Sequence, residues 1–148
     1  MTIKDRISSD IKDAMRAREK SKLDTLRLIT AAVKQVEVDE RITVDDERML
    51  VILDKLAKQR KESIAQFKAA GRDDLVSQEQ FELELINQYL PEPLSETEIE
   101  TLITKAISQV AAEKMSDMGK VMAILKPELQ GRADMAKVSA LIKAKLSQ

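Results

Sequence analysis

Cysteine, histidine and tryptophan are all missing from the 148 residues of this chain. Without thiol or imidazole there is no disulfide, no thiolate nucleophile, no Cys/His zinc site, no Ser-His-Asp triad and no histidine base working near neutral pH. Glycine and proline occur three times each, and the aromatics are two phenylalanines and one tyrosine. All-β folds need frequent turn residues and aromatic or β-branched strands, so this scarcity excludes most of them. Apolar runs stop after a few residues, as at Met49 to Leu53, far short of the ~20 that cross a bilayer. No membrane partner is therefore expected. The opening Met1-Thr2-Ile3-Lys4-Asp5-Arg6 is charged and periodic, unlike the apolar core of a secretory signal. These features give a cytoplasmic address as the expectation.

What is present is helical periodicity. Ile3, Ile7, Ile11, Ala14 and Met15 step by three or four behind a Thr2 cap. Ser21 with Asp24 reads as a capping signal for a second stripe, Leu23, Leu26, Ile29, Val33 and Val36. Thr43 is the candidate cap of a third helix carrying Met49, Leu53, Leu56, Ile64 and Phe67, with Gly71 at its end. Val76, Leu83, Ile86 and Leu90 make the fourth stripe. The pattern stops at Leu90-Pro91-Glu92-Pro93-Leu94, because prolines remove backbone donors and push the preceding residues toward extended conformations. Ser95 and Glu98 then form a capping box into Ile99, Leu102, Ile103, Ala106 and Val110. Met118, Val121, Met122 and Leu125 predict a sixth helix ended by Pro127, and a seventh starts near Asp134.

The expected fold is all-α: a four-helix region over 1–90, a proline-containing linker over 91–94, and a small three-helix bundle over 95–148. A piece of that last size is marginal on its own core without disulfides or metal.

The chain holds 25 basic and 26 acidic residues, a formal charge of −1, which argues against a generic polyanion binder. Locally the balance differs. From Asp117 onward the bases Lys120, Lys126, Arg132, Lys137, Lys143 and Lys145 outnumber the acids Asp117, Glu128 and Asp134. Within the third and fourth helices, Arg60 and Glu79 fall inside the apolar arcs of their own stripes. A charge so placed must be paired, reach water or serve a ligand. A structural ion pair of Arg60 with Glu79 or Glu82, across a hairpin at Gly71, is the expectation.

No catalytic constellation is recognised. Asp45-Asp46-Glu47 and Asp73-Asp74 sit where helices begin, so they read as dipole-complementing acids rather than metal ligands. Gly119-Lys120 lacks the remaining residues of a phosphate loop and reads as a helix start with a closely packed glycine. No metal and no cofactor is expected. Phe67, Phe81 and Tyr89 are too few for base stacking, which leaves recognition of a folded RNA by shape and phosphate contacts.

Several segments together resemble the GatB/YqeY family. They are Lys58-Gln59-Arg60-Lys61-Glu62-Ser63 with Phe67, Arg72 with Asp74-Leu75, Glu79 followed by Glu82-Leu83, and Tyr89-Leu90-Pro91 leading to Leu94-Ser95. Asp117 to Met122 and Gly131-Arg132-Ala133-Asp134 complete the set. Met135 departs from the glycine of the family pattern. The resemblance is to the tail of the B subunit of the glutamine-dependent aspartyl/glutamyl-tRNA amidotransferase. It implies a non-catalytic, tRNA-binding or tRNA-associated accessory protein, since the family's chemistry belongs to domains not encoded here. By motif match and local charge, Lys120, Lys126, Arg132 and Lys137 are the candidate RNA contacts, acting on phosphates without base readout. The alternative is a helical interaction module docking an amidotransferase subunit or an aminoacyl-tRNA synthetase. A third reading, carbon–nitrogen ligation with glutamine as nitrogen donor, is implied by family relationship alone.

Overall fold

A computed structural model describes residues 1–147, and its secondary structure is helical throughout, with no strand among those residues. The helices are α1 (Ile3–Ala17), α2 (Lys20–Glu40), α3 (Asp46–Ala69), α4 (Asp73–Asn87), α5 (Glu96–Gln109), α6 (Met118–Leu129) and α7 (Met135–Leu146). A single 3-10 turn, Met115–Asp117, leads into α6. The chain divides into two compact units, Met1–Leu90 and Pro91–Gln148.

Several helix starts follow from local chemistry. Thr2 Oγ1 accepts the Asp5 N–H at 3.1 Å while Asp5 Oδ2 accepts the Thr2 N–H at 3.2 Å, a reciprocal box. Ser95 Oγ accepts the Glu98 N–H in the same way. Two expected caps are displaced. Asp45, rather than Thr43, caps α3 by accepting the Arg48 N–H at 2.9 Å. Ser21 lies inside α2, which starts one residue earlier behind Glu19 without a side-chain cap. In that case the tight turn after α1 fixes the entry: Arg18 adopts a left-handed backbone (φ 55°), and the Glu19 N–H donates to the Ala14 carbonyl.

In the first unit α3 packs along α4, α1 packs on α2, and α2 contacts both α3 and α4. Leu26, Ile29, Met49, Leu53 and Ile86 are fully buried at the centre, each contributing roughly 1.5–3 kcal/mol relative to exposure. The α3–α4 turn needs Gly71, whose φ of 69° is open to glycine without strain.

In the second unit α6 is central and packs against both α5 and α7. Val121, Leu125 and Leu129 of α6 meet Ile103 and Ala106 of α5 and Val138, Ile142 and Leu146 of α7. Pro127 does not end α6. It sits in the last turn and the helix runs on to Leu129, because a proline ring there removes only one N–H and the chain closes instead through Gly131 at φ 79°. Met135 is the first residue of α7 behind the Asp134 cap, a helical position that has no need of glycine.

Candidate functional site

The first unit holds a few of its charged groups against partners on neighbouring helices. Arg60 on α3 and Glu82 on α4 face each other, Nε to Oε2 at 3.4 Å, with side chains 16% and 11% exposed. The contact is ionic: Arg60 Nε is buried without a hydrogen-bond partner, so the attraction acts without an aligned N–H. Glu79, one helical turn before Glu82, feels the same arginine. Its carboxyl is nonetheless pushed above its ordinary value, by burial first and by the neighbouring Glu82 charge second, with Arg60 offsetting part of the rise. The Arg60–Glu82 pair fastens α3 to α4.

Two further clamps lie in this unit. Tyr89, buried after the end of α4, donates its hydroxyl to Asp10 of α1, while the Arg6 guanidinium stacks 5.2 Å from its ring centroid. Burial, the Asp10 hydrogen bond and the Asp10 charge together raise the phenol above its usual range. Glu37 on α2 accepts from Lys4 Nζ at 2.7 Å and from the Val44 N–H at 2.8 Å. These bonds hold its carboxyl below the ordinary range. The long sequence separations of these pairs, 79 residues for Tyr89–Asp10, explain why periodicity did not reveal them.

In the second unit charged groups stand at the surface. Lys120 lies in the first turn of α6, 3.8 Å from Asp117 and 70% exposed at its side chain. Asp117 accepts the Glu113 and Lys114 N–H groups, which lower its carboxyl. Lys126 is exposed in the last turn of α6. Six positions separate the two lysines, about 240° around the helix, so they project from different faces. Arg132 follows α6 and is half-buried. Its Nε donates to the Glu92 carbonyl at 3.1 Å, and its carbonyl accepts the Leu94 N–H at 2.9 Å. This residue therefore holds the segment entering α5. A Cβ on Gly119 would meet nothing within 4 Å, so the expectation of a closely packed glycine there is corrected.

Lys137, in the first turn of α7, lines a groove of about 480 Å³ between α5 and α7. The groove is floored by Ile99, Val138 and Leu141 and rimmed by Glu96, Glu100 and Asp134. Asp134 also caps α7, accepting the Ala136 N–H at 3.0 Å. Lys137 thus shares this groove with three carboxylates. A second depression of about 440 Å³ lies on the exposed face of α5, lined by Thr97, Thr101, Thr104, Lys105, Ser108 and Lys145, with Glu100 common to both. Thr97, Thr101, Thr104 and Ser108 repeat at helical spacing on the side of α5 away from its apolar stripe. Among the described residues no group of acids is arranged to hold a metal ion, and no helix is long and apolar enough to cross a membrane.

The chain is similar to proteins named "Altered inheritance of mitochondria protein 41, mitochondrial". The relative from Pyrenophora tritici-repentis is 32% identical over 130 residues, covering 86% of this chain and 71% of its own length. That from Eremothecium gossypii is 41% identical over 85 residues, 57% of this chain and 46% of its own. A Saccharomyces cerevisiae relative is 34% identical over 122 residues, 78% of this chain and 66% of its own. The chain thus spans between about half and seven-tenths of the length of these relatives. Their names overturn the cytoplasmic expectation. That expectation rested on composition and on a charged, periodic opening segment, features of a folded region that do not specify a compartment. The family model described as "Yqey-like protein" matches residues 4–146, from the first turn of α1 to the last residue of α7. Since that match takes in both units and their clamps, the chain belongs to the YqeY-like family, whose domains are like the C-terminal part of GatB.

Proposed function

We propose that this protein is a non-catalytic, tRNA-associated accessory module whose second unit, with a four-helix region before it, contacts RNA phosphates through the cations of α6 and α7. The observation that carries the reading is the set of cations left at the surface of the last two helices. Lys120, Lys126, Lys143 and Lys145 stand exposed on α6 and α7, Lys120 with Asp117 at 3.8 Å. Exposed lysines and arginines on a rigid helical frame suit phosphate positioning and carry no base readout. Family membership supports the same direction, because the related tail of the amidotransferase B subunit is associated with tRNA. Arg132 supports the surface indirectly by fixing the segment before α5, and Lys137 contributes less because Glu96 and Glu100 offset it.

Titration of bulk tRNA against the full chain at several salt concentrations tests the reading. Binding is expected at low salt, with a logarithmic salt slope that falls by about 0.9 per lost phosphate contact. Lys120→Ala with Lys126→Ala should remove close to two contacts, and adding Arg132→Ala and Lys137→Ala should weaken binding further. Undetectable affinity at low salt, or an unchanged slope in the quadruple variant, overturns the assignment. Amidation of misacylated tRNA by the purified chain would overturn its non-catalytic part.

A further inference from the structure

We propose that α2 is the interface of a weak, parallel homodimer, in which its outward stripe of Leu28, Ala31, Gln35 and Val38 packs against the same stripe of a second copy of this chain. The inference is independent of the RNA reading, which concerns the cations of α6 and α7.

Spacing supplies the first argument. Leu28, Ala31, Gln35 and Val38 step by three, four and three along α2, and Ile42 follows four residues on, past the Arg41 cap. At about 100° per residue the four helical positions fall within an arc of ~80°. The buried Leu26, Ile29 and Val33 point to the opposite side, about 170° away. The stripe is therefore the pole of α2 farthest from the core. Leu28 is 48% exposed, Val38 65% and Ile42 41%, and Ala31 and Gln35 are exposed between them. Single apolar residues in water are ordinary. A line of them at alternating three and four is the seam along which two helices coil together, the a and d positions of a heptad.

Charge selects the occupant and its direction. With Leu28 and Gln35 at a and Ala31 and Val38 at d, the flanking g positions are Lys20, Arg27, Lys34 and Arg41, all basic. The e positions are Thr25, Ala32 and Asp39. An antiparallel pair of these helices sets g against g, base against base in every register. A parallel pair sets each g residue against the e residue five places on in the other copy, and such pairs fix orientation and partner choice. Lys34 then meets the partner's Asp39, both exposed, while Lys20 and Arg27 face the neutral Thr25 and Ala32. Asp39 already accepts from Gln35 Nε2 at 2.8 Å, and its carboxylate has a second oxygen for the lysine. The stripe is thus complementary to itself.

The remaining positions define the register and the extent. Gln35 lies opposite its own copy, and a polar residue at one a position specifies register at a cost in stability. Asp24, the preceding d position, would face a like charge, so the seam opens at Leu28. A contact of about three turns buries less than the ~1,200 Å² of a stable complex. The dimer is accordingly reversible and forms at high protein concentration.

The test uses the full chain. Sedimentation velocity over rising concentration should show a monomer–dimer equilibrium. Leu28→Glu with Val38→Glu, both at exposed positions, should keep the chain monomeric throughout, with thermal unfolding at low concentration unchanged. Gln35→Ile should tighten association at least about tenfold. Lys34→Glu should weaken it about fivefold, the sum of two symmetry-related pairs, and adding Asp39→Lys should restore it. Because the chain has no cysteine, Asp24→Cys reports direction. Under mild oxidation it should cross-link to itself, and the Leu28→Glu, Val38→Glu background should abolish the cross-link. An antiparallel pair with Leu28 against the partner's Val38 would hold the two sites about 18 residues, or ~27 Å, apart. A wild type that stays monomeric up to about 1 mM, a dimer that survives both glutamates, a charge reversal that restores nothing, or an absent cross-link would overturn the proposal.

Discussion

The two units solve the same problem, helices without disulfide, metal or aromatic bulk, in opposite ways. In the first, three clamps run between segments, Arg60 to Glu82, Lys4 to Glu37 and Arg6 over Tyr89, beside exposed pairs such as Arg72–Asp74. In the second, Lys120 meets Asp117 in solvent, and Lys126, Lys143 and Lys145 stand exposed. An element that spends its charges on itself gains a rigid frame. One that leaves them in water keeps a surface on which a partner can act, and its smaller core makes that surface the easier one to lose.

The sharpest way to break this comparison is to empty each core. Leu53→Ala and Leu125→Ala both remove a fully buried side chain, a change that costs about 2–5 kcal/mol. We expect Leu125→Ala to strip amide protection from α5 to α7 while α1 to α4 stay protected, and Leu53→Ala to lower protection in the first unit. Hydrogen exchange read helix by helix checks this; equal loss in both units from either change would merge them into one cooperative structure.

A smaller effect should follow from removing the internal ion pair. Arg60→Ala leaves Glu82 nearly buried beside Glu79 with no base, and a loss of roughly 1–3 kcal/mol is expected, below the 3–5 of a fully buried pair because both side chains keep some exposure. The double change Arg60→Met, Glu82→Leu should recover most of it. Denaturant midpoints distinguish the cases.

The acids of the first unit should respond to pH with opposite signs. Glu79 is raised, so the folded protein holds its proton more tightly than the unfolded chain, and ionising it destabilises the fold. Glu79→Gln should therefore be more stable than the wild type at pH 7, the gap closing as pH falls through the raised folded value and vanishing below the ordinary 4.5. Glu37 is lowered, so its contribution is present above 4.5 and lost as pH falls through its folded value. Glu37→Gln should be the less stable protein at pH 7 and converge with the wild type in acid. Melting curves across pH 3 to 7, a span of about four units around the usual carboxylate range, would show both trends.

The smallest change expected is a gain. Gly119 lies inside α6 with open space around it, so Gly119→Ala should stabilise the second unit by about 0.4–1 kcal/mol. A loss instead would mean that the backbone there is needed in another conformation, and would blur the contrast between frame and surface.

How legible all this was depends on range. Thr2, Ser95 and Asp134 were readable because a cap bonds a backbone group two or three residues away. Thr43 and Ser21 misled for the same reason: each is a chemically competent cap, but the tight turn after α1 fixed the uncapped α2 start and Asp45 took the cap of α3. Arg60 stood out as a charge on an apolar stripe, yet nothing in the spacing chose between Glu79 and Glu82. The Tyr89–Asp10 bond and the clamp of Arg132 on Glu92 join residues 79 and 40 positions apart, beyond any local pattern. The four candidate RNA cations were identified by type and neighbourhood, but their distribution over separate faces, and the acids around Lys137, come from packing.

By itself the sequence determined that this protein is helical, because apolar residues repeat at three and four while turn formers, thiols and imidazoles are scarce. It also determined where the chain must break, since Pro91 and Pro93 cannot continue a helix. Only the tertiary structure decided which charges are consumed and which remain available. Which acid Arg60 meets, and that Tyr89 reaches Asp10, are relations between distant segments that no single helix encodes.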